Sequence, residues 1–248
     1  MADENKGLVI SVGKADKKQV IQHTGPKIKV QGREVSAAGG REIDVVFAID
    51  TTGSMSDKIE GLLATCNRFV DELSKLGLAH RLAVVAFGDL TVPGDDITVF
   101  KFTEDIQRVK ATLASIPRYG GGGNSGESSM EAVDKALALA FRPGAVKALI
   151  LITDEPALQH NFRASDITRR LVQSEMLTFV VSPAEDYFQE MAQKTGGTWY
   201  QVSAGTDFTG LLEMFKKLAV KLSSVVADVY QLGNGSVSKY LQIKAPGK

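Results

Sequence analysis

Two apolar segments of the chain end in aspartates that stand beside hydroxyl residues. Asp50 ends the segment IDVVFAID, and Thr52 and Ser54 follow it at alternate positions of a short turn. Asp154 lies at the end of the segment VKALILITDE. These side chains offer hard oxygen ligands, with no thiol or imidazole nearby, and such a set suits Mg²⁺ rather than zinc. The pattern predicts a magnesium site, and a helix cap formed by Asp50 and Thr52 is the alternative interpretation.

The elements that must position these residues follow from the hydrophobic periodicity. Strands are predicted at 43–50, 82–89, 97–103, 146–155, 177–182 and 198–203. Helices are predicted at 59–76, 106–116, 130–141, 164–175, 185–195 and 207–223. The alternation predicts an α/β fold with a doubly wound, mostly parallel central sheet, helices on both faces and one antiparallel edge strand. Ligands of such sheets bind beyond the carboxyl ends of the strands, where both aspartates are expected.

The predicted α/β domain spans residues 41–225, and a shorter extension lies on each side of it. The N-terminal extension, 1–40, contains the strand-like pieces GLVISV and KIKVQG. The C-terminal extension, 226–248, resembles two short strands about a Gly-Asn-Gly turn and is compatible with a hairpin.

Three motifs, taken in order, carry a resemblance to a known family. DTTGS follows a predicted buried strand, the glycine loop GGGGNSGE opens a helix at 120–127, and ITDE ends a later strand at 152–155. Together they resemble a von Willebrand factor A domain with a metal-ion-dependent adhesion site, over residues 41–225. The resemblance implies a vWA, Rossmann-like fold. It also implies that Asp50, Thr52, Ser54 and Asp154 are metal ligands, with Thr52 in place of the commoner serine.

The second loop departs from the family pattern. Bacterial relatives often have GGGD-x-P-E there, and in this chain Asn124 stands at the aspartate position. The resemblance implies Asn124 as a ligand. An asparagine offers a carbonyl oxygen without a charge, so either the metal binds more weakly or Ser125 takes the ligand role.

The function implied by the resemblance is recognition rather than catalysis. A Mg²⁺ ion, or Mn²⁺ or Ca²⁺, would bind an Asp or Glu side chain of a partner protein, in a contact at the centre of an interface. Intracellular relatives often serve AAA-type ATPases or kinase and phosphatase systems, which gives an expected setting for such a partner. Asp89, Glu127 and Glu155 are expected near the same sheet edge as solvated loop charges, or as charges that tune the metal site or screen partners.

Two alternatives belong to other classes of function. The first is a scaffold subunit with the same fold and a decayed site, which binds partners without metal. The second is a phosphotransferase of the haloacid dehalogenase type with Asp50 as nucleophile. The motif of that family, however, is D-x-D, in which the second carboxylate acts as general acid. Thr52 stands at that position and cannot act as a general acid near neutral pH. The glycine loop also matches G-x-G-x-x-G formally, but a helix and not a strand precedes it, which argues against dinucleotide binding.

The composition of the chain excludes several further classes of function. The 248 residues carry equal numbers of acidic and basic side chains, so no overall basic field points to nucleic acid. The single cysteine, Cys66, excludes an internal disulfide framework and falls in the apolar stripe of a predicted helix. The sequence shows neither a signal peptide nor an apolar stretch long enough to span a bilayer. We therefore expect a cytoplasmic protein that is not an enzyme and does not bind membranes.

Overall fold

The computed structural model describes most of the chain from residue 41 onward. The described residues are 29–30, 33–34, 41–55, 78–122, 126–202 and 208–244, with individual helical residues between 59 and 73. Asn124, Ser125 and Cys66 lie outside them, as does the piece GLVISV. The chain divides into two compact units, Met1–Gly39 and Gly40–Lys248. In the first unit, a two-residue strand β1 (Lys29–Val30) pairs antiparallel with β2 (Arg33–Glu34).

The second unit is built on a mixed sheet that contains six strands among the described residues. These strands are β3 (Glu42–Asp50), β4 (Ala79–Phe87), β5 (Ile97–Thr103), β6 (Val146–Ile152), β7 (Met176–Ser182) and β8 (Trp199–Gln201). Their order is β5-β4-β3-β6-β7-β8, and every neighbouring pair is parallel except β4 with β5. The predicted fold class, including its antiparallel edge strand, is confirmed.

Helices cover both faces of this sheet. Those described in full are α1 (Ile106–Ala114), α2 (Ser129–Leu137), α3 (Ala164–Gln173), α4 (Asp186–Lys194), α5 (Phe208–Gly233) and α6 (Val237–Lys244). Alternate residues of β3 enter two different cores, since a strand points successive side chains to opposite faces. Phe47 joins the core that contains residues of α1, α5 and α6, whereas Val46 joins the core that contains residues of α2, α3 and α4.

The C-terminal segment differs from the predicted hairpin. Helix α5 continues to Gly233, well beyond the predicted end at 223, and α6 follows it after a turn. The helix continues because Leu218, Leu222, Val226 and Val229 extend one buried stripe at helical spacing. The Gly-Asn-Gly sequence is a turn as expected, with positive φ at its last two residues, but it connects two helices instead of two strands.

The order of the strands places the candidate site. Strand β3 lies between β4 and β6, so the loops that leave these three strands at their carboxyl ends emerge side by side. This is the point at which the chain order reverses, where open α/β sheets bind ligands. Within the described residues, no helix is long and apolar enough to span a membrane.

Candidate metal centre

Asp50 is fixed by hydrogen bonds to both of its carboxylate oxygens. It is fully buried at the end of β3. Its Oδ1 accepts bonds from the Thr52 backbone N–H at 3.0 Å and from Thr52 Oγ1 at 2.7 Å. Its Oδ2 accepts a bond of 2.8 Å from Thr153 Oγ1, in the loop after β6. Asp50 is thus tied to its own turn, in the manner of a cap, and also to the neighbouring strand.

The surroundings of Asp50 disfavour its charged form. Burial raises the pKa of this carboxyl group to about 6, and the nearby charge of Asp154 acts in the same direction. The hydrogen bonds from Thr52 and Thr153 oppose the shift but are outweighed. A cation beside the carboxylate would reverse this balance because an opposite charge favours the ionised form.

Ser54 joins the first loop to the third. It belongs to a short 3₁₀ turn, Gly53–Met55, whose Met55 side chain is buried and anchors the turn in the core. Ser54 itself is exposed, and its Oγ donates a 2.9 Å hydrogen bond to Oδ1 of Asp154. The structure therefore brings together four of the five predicted ligands: Asp50, Thr52, Ser54 and Asp154. The fifth, Asn124, and its alternative Ser125 lie in the segment that the structure does not describe.

Asp95 holds the start of the glycine loop against these residues. Its carboxylate accepts hydrogen bonds from the backbone N–H groups of Gly120 and Gly121, each at 3.0 Å, and of Asp89 at 3.1 Å. Gly121 has a φ of +71°, and a β-carbon there would lie 3.4 Å from side-chain atoms of Thr52. Sequence analysis missed Asp95, because nothing in the segment PGDD distinguishes it from its neighbour Asp96.

Asp89 and Glu127 are buried, so their interpretation as solvated loop charges is wrong. Asp89 is 0% exposed, and its Oδ1 accepts hydrogen bonds from the backbone N–H and the hydroxyl of Thr91 at 2.8 and 2.6 Å. Glu127 is 4% exposed, and its backbone forms a bridge with Ala157 in the loop after β6. Glu155, by contrast, is partly exposed. Of the three residues expected as solvated charges at this edge, two thus lie in the protein interior.

Glu127 has the most strongly perturbed carboxyl group at this edge of the sheet. Burial raises its pKa to about 8, and the charges of Asp50, Asp89, Asp95 and Glu155 add to the shift. Across the described residues, no Lys or Arg side chain forms an ion pair with Asp50, Asp89 or Glu127. Several acidic side chains therefore lie close together at this edge of the sheet without a described basic partner.

The donor set fits a hard cation. Among the described residues, no group of three or more His, Cys, Asp or Glu side chains is arranged to hold a metal ion. The predicted set depends instead on two carboxylates, of Asp50 and Asp154, and two hydroxyls, of Thr52 and Ser54. Mg²⁺ binds with one or two carboxylates and keeps neutral oxygens in its remaining positions. The residues present therefore suit such an ion.

Fold and site together define a doubly wound α/β domain with an oxygen-lined site at its switch point. The chain belongs to the von Willebrand factor type A domain family, whose sequence model matches residues 44–217. A solved structure with a similar fold is the conserved hypothetical protein BatB from Bacteroides thetaiotaomicron, at 18% identity and a TM-score of 0.52. The match covers 76% of this chain and 100% of that one. Among curated proteins, none matches the chain.

Proposed function

We propose that the chain is a metal-dependent protein–protein interaction module. In this proposal Asp50, Thr52, Ser54 and Asp154 hold Mg²⁺, or Mn²⁺ or Ca²⁺, together with an oxygen from Asn124 or Ser125 in the second loop. When bound, the ion supplies a positive centre for the carboxylate of a partner's Asp or Glu side chain. The observation that carries the proposal is the convergence of oxygen ligands from two separate loops, joined by the bond between Ser54 and Asp154.

The residues of the chain have different roles in this arrangement. Burial and its three hydrogen bonds leave Asp50 little freedom to move, so it is the fixed ligand. Ser54 is exposed and Asp154 is buried, so Ser54 marks the side of the site that is open to a partner. Binding of the cation would therefore replace existing hydrogen bonds of the Thr52 and Ser54 hydroxyl groups by contacts to the ion.

The acidic surroundings set a charge requirement for the partner. Asp50 and Asp154 together neutralise a divalent ion, and Asp89, Asp95 and Glu155 add further negative charge around it. A partner carboxylate approaching this edge is repelled unless basic side chains flank it. The partner that fits best presents an acidic ligand within a basic surface, and its association should weaken as salt is added.

The first test is thermal unfolding of the purified chain in EDTA and in Mg²⁺, Mn²⁺ or Ca²⁺. An ion at 100 times its Kd stabilises the native state by about 2.7 kcal/mol. For a domain of this size that is a rise in Tm of roughly 5–10 °C. The Asp154→Asn variant should lose this rise while it remains folded in EDTA.

A matched control is the Asp166→Asn variant. Asp166 forms an exposed ion pair with Arg169 in α3 and makes no described contact with the predicted ligands, and such pairs contribute little to stability. Its metal-dependent rise in Tm should equal that of the wild type. A rise that persists unchanged in Asp154→Asn would contradict the proposed site, and the absence of a rise with all three ions would contradict metal binding by the isolated chain.

Partner binding separates the module from the two alternatives. A metal-dependent module should retain a partner in Mg²⁺ and release it in EDTA or on substitution of Asp154. A scaffold subunit should retain the same partner equally in both conditions. An aspartyl phosphotransferase should release phosphate from an aryl phosphate and should lose that activity in Asp50→Asn.

A further inference from the structure

The carboxylate of Asp95 connects the loop that follows β4 to the glycine loop. Its Oδ2 accepts hydrogen bonds from the backbone N–H groups of Asp89 and Gly121, and its Oδ1 accepts one from the N–H of Gly120. Hydrogen bonds to a charged acceptor are stronger than those between neutral groups. One half-buried side chain therefore fixes the start of the glycine loop relative to the end of β4.

The start of the glycine loop lies directly against the first loop of the candidate site. The N–H of Tyr119 donates to the carbonyl of Thr51 at 3.0 Å. A β-carbon on Gly121 would lie 3.4 Å from both Cβ and Cγ2 of Thr52, so the glycine backbone packs on the side chain of this predicted ligand. Thr52 in turn donates its hydroxyl to Asp50. A shift of the glycine loop would therefore be transmitted to two predicted ligands.

The fit around Asp95 leaves no spare space at the end of β4. Gly88 follows this strand, and its N–H donates to the carbonyl of Asp96 at 3.2 Å. A β-carbon on Gly88 would lie 2.6 Å from Oδ2 of Asp95 and 2.7 Å from Cβ of Tyr119. Both distances are well inside van der Waals contact. Asp95 and the glycine loop therefore keep their present positions only because residue 88 has no side chain.

We propose that Asp95 is a positioning residue for the cation site. Without contacting the ion, it holds the glycine loop against Thr52 and so keeps the ligands of the first loop in place. This inference rests on the proposed function, since it concerns the same ion. Groups that orient metal ligands through hydrogen bonds are known to govern metal affinity, and Mg²⁺ in particular demands near-ideal ligand geometry.

A carboxylate also attracts a cation by its charge alone, so three variants separate position from charge. Asp95→Asn removes the charge, and whichever way its amide is turned, the NH₂ group faces at least one of the three backbone N–H groups. Gly88→Ala keeps the charge of Asp95 and displaces its carboxylate. Asp96→Asn removes an equal charge from the adjacent exposed residue, whose carboxylate accepts a bond from the N–H of Ile97 that asparagine can also accept.

The test measures the Kd for Mn²⁺ alone by isothermal titration calorimetry, in low salt and again in high salt, which screens charge effects but not displacement of a loop. Thermal unfolding in EDTA identifies a temperature at which every variant is folded. In Asp95→Asn and Gly88→Ala the Kd should rise about 10-fold at both salt concentrations, at the lower end of the effect of removing groups that orient metal ligands. In Asp96→Asn it should stay within about twofold of the wild type.

Nuclear magnetic resonance of the metal-free chain checks the contact itself. The amide protons of Gly120 and Gly121 should move upfield in Asp95→Asn, because they lose a charged acceptor. In Asp96→Asn both signals should stay in place.

Each contrary result has a distinct meaning. A lower Tm of Asp95→Asn in EDTA with an unchanged Kd would overturn the proposal, since the residue would then only stabilise the fold. Weakening that disappears in high salt, that Asp96→Asn shares, or that Gly88→Ala lacks would overturn it in favour of a charge effect. If the wild type binds Mn²⁺ and Asp154→Asn does not, the proposed function stands even when the role of Asp95 fails. If the wild type binds no Mn²⁺, both fail.

Discussion

The hydrogen bond from Thr153 to Asp50 allows a sharp test of how the site is held. Both residues are 0% exposed, and Thr153 Oγ1 lies 2.8 Å from Asp50 Oδ2. The same hydroxyl accepts a weaker bond of 3.2 Å from the backbone N–H of Glu155 and lies 3.2 Å from the carbonyl oxygen of that residue. Thr153→Val keeps the shape of the side chain and removes only these interactions, so the variant isolates the contribution of the hydroxyl group.

The expected loss of stability follows from the chemistry of the acceptor. A hydrogen bond to a charged group contributes about 1.5–3 kcal/mol, and the bond to the backbone of Glu155 adds up to about 1 kcal/mol. The additional buried methyl group of valine returns about 1 kcal/mol. The net destabilisation is therefore about 2 kcal/mol, or roughly 4–8 °C in Tm for a domain of this size.

The assay is urea and thermal unfolding in EDTA at pH 8, where Asp50 is ionised, repeated at pH 4.5. Asp50 has a folded pKa of about 6, above the unfolded value of about 3.9. Its contribution to stability is therefore complete below pH 4 and is lost as the pH rises through 6. Loss of the donor raises this pKa further, so Thr153→Val should be more destabilised at pH 8 than at pH 4.5.

Two controls define the result that would refute this reasoning. Thr153→Ser keeps the hydroxyl and should retain most of the wild-type stability at pH 8. Thr178→Val removes a buried hydroxyl that donates only to the neutral carbonyl of Met176, so its effect should not depend on pH. A Thr153→Val protein as stable as the wild type at pH 8, or equally destabilised at both pH values, would show that the hydroxyl does not support the charge of Asp50.

Three further predictions concern the sheet that carries the site, and urea unfolding checks each of them. Burial would raise the pKa of Asp44, but hydrogen bonds from two arginines hold it below its ordinary value. Asp44→Asn should therefore cost about 3–5 kcal/mol at pH 7, a difference that shrinks as the pH falls below about 4. Tyr230→Phe removes a hydroxyl that binds both the N–H and the carbonyl of Glu42, and should cost about 1–2 kcal/mol. Gly197→Ala should cost about 3 kcal/mol, because its β-carbon would lie 2.0 Å from the backbone oxygen of Thr178.

The central sheet could be predicted from the sequence because the pattern that indicates each strand is local. A strand buried on both faces is apolar throughout, so segments such as IDVVFAID indicate both the strand and its place at the centre. The turn after α5 shows the limit of that approach. The composition of Gly233-Asn234-Gly235 indicates a turn. Only the helical spacing of Val226 and Val229 shows that the segment before this turn is a helix and not a strand.

The surroundings of the site depend on contacts that no local pattern encodes. The position of Asp50 and Asp154 at this edge of the sheet could be predicted because each follows the apolar residues of a buried strand. The contacts of Thr153, Asp95 and Glu127 join segments far apart in the chain, as when the carboxylate of Asp95 binds backbone groups of residues 120 and 121. A sequence shows that such residues are polar, and it does not show which backbone or charge each one faces.

The same long-range contacts explain why charge, more than shape, should govern binding at this site. The N–H of Tyr119 donates to the carbonyl of Thr51, the N–H of Thr51 donates to the carbonyl of Phe87, and Ser54 binds Asp154. These hydrogen bonds connect the described loops of the site to one another. In the proposed function, the free energy of cation binding would then go mainly into relieving repulsion among buried carboxylates, and little into ordering the described loops. Substitutions that remove a charge and keep the shape, such as Asp154→Asn, therefore measure the quantity on which the proposed site depends.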